Sequence, residues 1–241
     1  LWFVEALLVF SFVYVFWRLV KKSAPSPDRS NPVGDDKAPG NAPIALFAIA
    51  LGLITFIVRI WFPIDFWFDP LHWQLAHFSQ YIALFVLGIV AYRRNWFELL
   101  PEAQGRIWRW IALILVPLFL VVAVPGGALE EGLTLFKGGI HWQSLAASIW
   151  EQLMCIAMVI TLLLLFRKRF NKQSNLARAM SISAYAVYVF FAPVIVLLEL
   201  ALSSIQMDGG LKFVLVAPVA VILCFLAGYC IKKLPLARDI L

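Results

Sequence analysis

Seven long apolar runs, separated by short polar segments, limit what this chain can fold into. They lie at about 1–20, 44–62, 78–92, 107–124, 145–166, 181–202 and 211–231. A helix that crosses the hydrocarbon core of a bilayer needs about 20 predominantly apolar residues. The runs therefore predict an all-α, polytopic transmembrane helix bundle of about seven spans, the third being the shortest. Composition points the same way: 63% of residues are hydrophobic and 14% are charged. Soluble domains carry roughly 45–50% apolar and about 25% charged residues. Disorder, a collagen repeat, a disulfide scaffold and a soluble enzyme core are excluded as the main content. The runs do not alternate with period two, so a membrane β-barrel is not expected either.

Residues 23–43, rich in proline, serine and aspartate, interrupt the pattern. Proline removes backbone donors, and little here could bury a core. The segment reads as a flexible cytoplasmic linker inside one membrane domain spanning 1–241. Basic residues collect on the cytoplasmic side of spans. If the first run starts outside, only Arg59, Lys137 and Lys212 of the 20 Lys and Arg residues fall outside or at the outer interface. This alternation predicts an outer N-terminus and a cytoplasmic C-terminus. The net charge of +6 thus needs no nucleic acid; the partner it implies is the lipid bilayer. The ten tryptophans fall at run ends or in adjoining loops, as interfacial anchors do.

Ionisable side chains within spans are costly and mark interior or water-lined positions. Glu5, Arg59, Glu151 and Glu199 all fall in the outer halves of their runs. They suggest one polar cavity opening outward, with Arg59 paired to a glutamate or snorkelling to the headgroups. The loops at 63–77 and 125–144 hold His72, His77 and His141; His77 and Glu151 are the weak candidates for a catalytic base. The glycines of 126–139 suggest a bent or partly re-entrant loop, tolerable where it lines protein or water. No metal-ligand spacing such as H-x-x-x-H occurs, and no metal site is expected. Cys155, Cys224 and Cys230 sit in apolar runs, as inert thiols do. Phosphate-loop, nucleophile-elbow and zinc-protease motifs are absent. The last run lacks an internal lysine for a retinal Schiff base, and the arginine pair after the third lacks an acidic neighbour.

Several segments in order resemble the bacterial acyltransferase 3 family of integral-membrane O-acyltransferases. Leu1-Trp2-Phe3-Val4-Glu5-Ala6-Leu7-Leu8 resembles the start of a mid-chain span in that family. His77-Phe78-Ser79-Gln80-Tyr81-Ile82, continuing to Tyr92-Arg93-Arg94-Asn95-Trp96, resembles a second block. Ser148-Ile149-Trp150-Glu151 with Leu165-Phe166-Arg167, and Ser183-Ala184-Tyr185-Ala186-Val187-Tyr188, resemble two later spans. Two departures stand out. Phe191 occupies the place of a histidine in the family's Tyr-x-x-His-x-Pro pattern. The family's catalytic histidine and partner arginine belong to a first helix that would precede Leu1.

The resemblance implies the C-terminal portion of an O-acyltransferase domain in a bacterial inner membrane. An acyl group would pass from a thioester donor, acyl-CoA in the family, to a hydroxyl of an envelope carbohydrate or glycolipid. No permanently bound cofactor is implied. Trp2, Glu5, Gln80, Tyr81 and Trp150 would line the substrate cavity with His77 and Glu151, and Arg93 and Arg94 would contact the donor. The alternative is a transporter-like or non-catalytic membrane scaffold, favoured by Phe191 and by the missing helix.

Overall fold

The computed structural model describes residues 2–21, 37–69, 72–130, 132–170, 174–203 and 208–232. Most of the linker expected at 23–43 lies outside them. The described residues form eight α-helices: α1 (Trp2–Val20), α2 (Asn41–Trp61), α3 (Phe78–Arg93), the one-turn α4 (Trp96–Leu99), α5 (Glu102–Ala123), α6 (Trp142–Arg169), α7 (Asn175–Ala201) and α8 (Gly209–Lys232). Short 3-10 turns at Leu75–His77 and Thr134–Phe136 precede α3 and α6. Among the described residues there is no strand, only an isolated bridge between Phe68 and Trp73. The protein is thus an all-α polytopic bundle.

Six of these helices are long and apolar enough to cross a membrane; the third of them includes the turn at 75–77. The sixth expected run coincides with α7, a continuous helix of 27 residues whose apolar stretch is Phe190–Ala201. Large apolar side chains are exposed along these helices, among them Phe16, Leu120 and Val221. Such surfaces suit hydrocarbon as solvent and would drive aggregation in water. α2 begins at Asn41, so Asn41–Pro43 belong to a helix and not to the linker. Proline is tolerated in a first helical turn because its missing N–H has no intrahelical partner there.

Residues 1–169 and 170–241 form two compact units. In the first, α6 is the central helix and packs along both α2 and α5. Its contacts with α5 run antiparallel: Gly105 lies against Leu164 at one end, and Trp150 reaches Leu115 at the other. The core joins Ile44 and Ala48 of α2, Trp108 and Ala112 of α5, and Ile156, Ala157 and Ile160 of α6. Apolar burial alone cannot hold helices together in lipid, where close packing and hydrogen bonds must contribute. Gly52 shows the packing device. A Cβ there would stand 2.8 Å from the Ile149 Cα, so the α2–α6 contact depends on glycine. Arg167 supplies a hydrogen-bonded brace. Its guanidinium donates to the carbonyls of Phe97 (3.0 Å), Glu98 (2.9 Å) and Leu100 (2.7 Å), tying α4 to the end of α6. Helix ends leave such carbonyls unpaired, so Arg167 has a structural task besides any role in topology.

In the second unit α7 packs along α8. Ser183 and Ala186 are buried, and a Cβ on Gly228 would lie 3.3 Å from the Ala186 Cβ. Small residues again allow close approach. The Ser174 hydroxyl caps α7 by accepting from the Ala177 backbone N–H at 3.1 Å, a standard N-cap arrangement.

Gly52→Val should push α2 away from α6. We expect a loss of about 1–3 kcal/mol, typical of overpacking, read as a lower thermal midpoint of the detergent-solubilised protein. An unchanged midpoint would contradict the packing described.

Candidate active site

Polar residues at helical spacing build this site. On α6, Ser144, Ser148, Glu151, Gln152 and Cys155 recur at intervals of three and four, so they share one face. On α2, Thr55 and Arg59 are one turn apart. The turn at 75–77 and the start of α3 add His77, Ser79, Gln80 and Tyr81. All three elements meet where α2 ends and α3 and α6 begin.

Arg59 is the centre of the site. It is fully buried, and its NH2 donates to Glu151 Oε2 at 2.6 Å. NH1 reaches the Ser148 hydroxyl at 3.4 Å. A guanidinium cannot shed its proton in a protein, so burial here requires the Glu151 carboxylate. The pairing expected from the sequence is therefore present, and snorkelling is not. The backbone of Arg59 is fixed by the loop before α6. Gly139 N–H donates to the Arg59 carbonyl at 3.1 Å, and Ile64 N–H donates to the Lys137 carbonyl at 3.0 Å. A Cβ on Gly138 would come within 2.7 Å of the Arg59 carbonyl, and Gly139 has φ +82°, a conformation that favours glycine. The glycine-rich loop is thus bent and lies over the end of α2.

Glu151 also faces His77, with Oε1 3.1 Å from Nδ1. Arg59 NH2 lies 3.2 Å from that same nitrogen. One ring nitrogen cannot donate to the carboxylate and accept from the guanidinium at once. In the tautomer with the proton on Nδ1, the imidazole donates to the carboxylate. Nε2 is then the ring nitrogen available for chemistry. A carboxylate that orients an imidazole through Nδ1 is the arrangement found in hydrolytic triads.

The polar contacts continue away from His77. Gln152 Nε2 donates to Gln80 Oε1 at 3.3 Å, and Gln80 Nε2 donates to Cys155 Sγ at 3.0 Å. Thr55 and Ser79 share a hydrogen bond of 2.9 Å. Arg59 Nε and Gln152 Oε1 are buried without a hydrogen-bond partner among the described residues. Buried polar atoms are nearly always paired, so these two have capacity left for a water or a substrate. Trp2 stacks on Tyr81 with ring centroids 5.7 Å apart, and Tyr81 lies 6.2 Å from the His77 ring.

Trp2, His77, Gln80, Tyr81 and Glu151 therefore come together. Trp150 does not join them: its indole donates to the Leu115 carbonyl at 2.7 Å and packs on Phe119, facing α5. Glu5 is exposed on α1, and Glu199 is exposed on α7. Arg93 donates to the Tyr14 hydroxyl at 2.6 Å, and Arg94 lies over the Trp96 ring; both are far along α3 from His77. His72 and His141 are exposed in the loops. Phe191 is on α7, its ring 6.2 Å from Tyr188. Among the described residues no group of three or more His, Cys, Asp or Glu side chains could hold a metal ion. Cys155 and Cys224 are free thiols, while the Cys230 side chain lies outside the described residues. Sequence reasoning named neither Thr55 nor Ser144, gave Ser79 and Ser148 only within the family blocks, and read Cys155 as an inert thiol. The signal was present in the three-and-four spacing of polar residues on α6.

Glu151→Leu should leave Arg59 buried and uncompensated, which costs about 3–5 kcal/mol. Replacing Arg59 and Glu151 together by apolar residues should cost less than the single change. A double-mutant cycle on thermal midpoints measures the difference; additive losses would mean that the two charges do not interact.

A comparison with protein-family models matches the acyltransferase domain over residues 1–229. No curated protein and no solved structure matches the chain. With nearly all of its length covered by that model and six helices fit to cross a bilayer, the chain belongs to the acyltransferase 3 family as a membrane acyltransferase domain.

Proposed function

We propose that the domain transfers an acyl group from a thioester donor, acyl-CoA by family resemblance, to a hydroxyl of an envelope carbohydrate or glycolipid. The observation that carries this reading is the His77–Glu151–Arg59 arrangement, with His77 Nδ1 3.1 Å from the Glu151 carboxylate; in the tautomer that donates to it, Nε2 is the basic nitrogen. In the transfer, the acceptor oxygen attacks the thioester carbonyl while its proton passes to His77 Nε2. A C–O bond forms and the C–S bond breaks. The departing thiolate then takes the proton back from the imidazolium, leaving an ester and a thiol. Glu151 holds the ring and stabilises its positive charge. Gln152 Oε1 and Arg59 Nε, buried without partners, offer an acceptor and a donor to the reacting groups.

The Trp2–Tyr81 stack beside His77 supports a sugar-bearing acceptor, since aromatic faces combine apolar area with a polar edge. A bacterial inner membrane follows from the family resemblance, and the charge pattern supports the His77 end facing outward, where an envelope acceptor would be met. The resemblance expects its principal base on a helix ahead of Leu1; His77 is the base that the present geometry favours.

His77→Gln keeps the volume and removes the base. We expect kcat to fall by about 10²–10⁴-fold, with the thermal midpoint of the parent protein. Transfer from acyl-CoA to a glycolipid acceptor, followed by mass spectrometry of the ester, measures it. Full activity in the variant would remove His77 from the chemistry. No ester formed by the parent protein with any acceptor would favour a scaffold or transporter.

A further inference from the structure

Between α1 and α3 lies a groove of about 580 Å³. Its walls are Val9, Val13 and Trp17 on α1 and Ile82, Val86 and Ile89 on α3, each set recurring every three or four residues on one helix face. The two helices run in the same direction. Trp2 stacks on Tyr81 near their starts, and Arg93 donates to the Tyr14 hydroxyl near their ends. They are not closely packed along their length. Aromatic side chains bridge them instead, as where the Phe10 and Phe85 ring centroids stand 5.6 Å apart. Only Ala6 of α1 is buried, so the protein gives this helix little support.

One end of the groove is cationic. Arg93 is the one charged residue in the lining. The Tyr14 hydroxyl, at 2.6 Å, occupies one of the five N–H donors of its guanidinium. Lys21 lies over the Trp17 ring, 5.0 Å from its centroid, and Arg18 stands one turn beyond Tyr14. Among the described residues, none of Arg18, Lys21 and Arg93 forms an ion pair with a carboxylate. Length then identifies what fits. From Ile82 to Arg93 the wall of α3 covers about 16 Å of helix. One leaflet supplies half of a hydrocarbon core about 30 Å thick. The groove thus runs the depth of a single leaflet, with its cations at headgroup level.

We propose that this groove binds one anionic phospholipid of the leaflet that meets the Arg93 end, the cytoplasmic leaflet by the charge pattern. The phosphate accepts two N–H bonds from Arg93, as a guanidinium fork allows. It also accepts from the Tyr14 hydroxyl, which keeps its own proton while accepting from Arg93. Arg18 and Lys21 add attraction, and an acyl chain lies along the apolar wall. Basic pockets between membrane helices hold anionic headgroups in this way. Phosphatidylcholine offers the same hydrocarbon, but its choline cation would face three others, so the selection is by headgroup charge. A coenzyme A donor suits the groove less, because beyond the cationic end the walls have no polar side chain for the amides of a pantetheine arm. The bound lipid ties α1 to α3 and so supports the Trp2–Tyr81 stack beside His77. The site stands whether or not the domain transfers acyl groups.

The test uses the intact protein in nanodiscs of phosphatidylcholine with a minor share of phosphatidylglycerol. Native mass spectrometry of the released protein should show one phosphatidylglycerol retained in preference to phosphatidylcholine. Phosphatidylglycerol should also raise the thermal midpoint, as any ligand of the folded state does. Arg93→Gln should lower the preference about fivefold, the effect of one basic side chain near an anionic surface. Val86→Trp, which fills the groove and leaves every charge in place, should lower retention too. Arg169→Gln, at the same end of the bundle but outside the groove, should change neither reading. Equal retention of the two lipids would overturn the proposal in favour of bulk hydrocarbon. A loss with Arg169→Gln as large as with Arg93→Gln would overturn it in favour of general surface attraction. Displacement of the bound lipid by coenzyme A would give Arg93 to the donor. Retention unaffected by Val86→Trp, with a changed oligomeric state, would give the groove to a second copy of the chain.

Discussion

A buried guanidinium governs the first unit of this protein. Arg59 is fully enclosed, and a charge taken into a low-dielectric interior costs several kcal/mol unless an opposite charge is held against it. That requirement fixes Glu151 at 2.6 Å, which sets the register of α6 against α2. Glu151 in turn holds His77, which sets the start of α3. Three elements far apart in sequence are therefore positioned by one charge. The interaction need not add stability over an apolar core of the same shape. Its contribution is specificity of position: it holds Glu151 and His77 together.

The packing around this centre shows how a bundle holds together when lipid removes the usual hydrophobic drive. Gly52 lets α2 and α6 touch, Gly105 meets a Leu164 side chain, and Gly228 admits α7 in the second unit. Arg167 closes the opposite end by satisfying three carbonyls of the 97–100 segment. Between the two ends, the faces of α3 and α6 change from polar to apolar within one turn.

Much of this could be read from the chain. Hydropathy gave the helices nearly to their ends, because a span must satisfy its own backbone and so has a fixed length. Its starts fell short by three residues at Asn41, five at Glu102 and six at Asn175, because polar first turns resemble linker sequence. Glu151 and Arg59 could be singled out, since a charge in a span needs a reason. Trp150 could not be separated from Glu151, because adjacent residues share a sequence context but face about 100° apart on a helix. Ser144, Ser148 and Gln152 were individually unremarkable; their stripe has meaning only once α6 is known to face α2 and α3.

The sequence by itself determined the class of molecule. Its apolar runs specify helices in a bilayer, its ordered blocks indicate the family, and two of its four intramembrane charges, Arg59 and Glu151, fall in the candidate site. Only the tertiary structure decided which charges meet. Membrane burial restricts each helix alone, whereas pairing depends on how the helices rotate and cross. That rotation brought Arg59, Glu151 and His77 to one point and turned Trp150 toward α5.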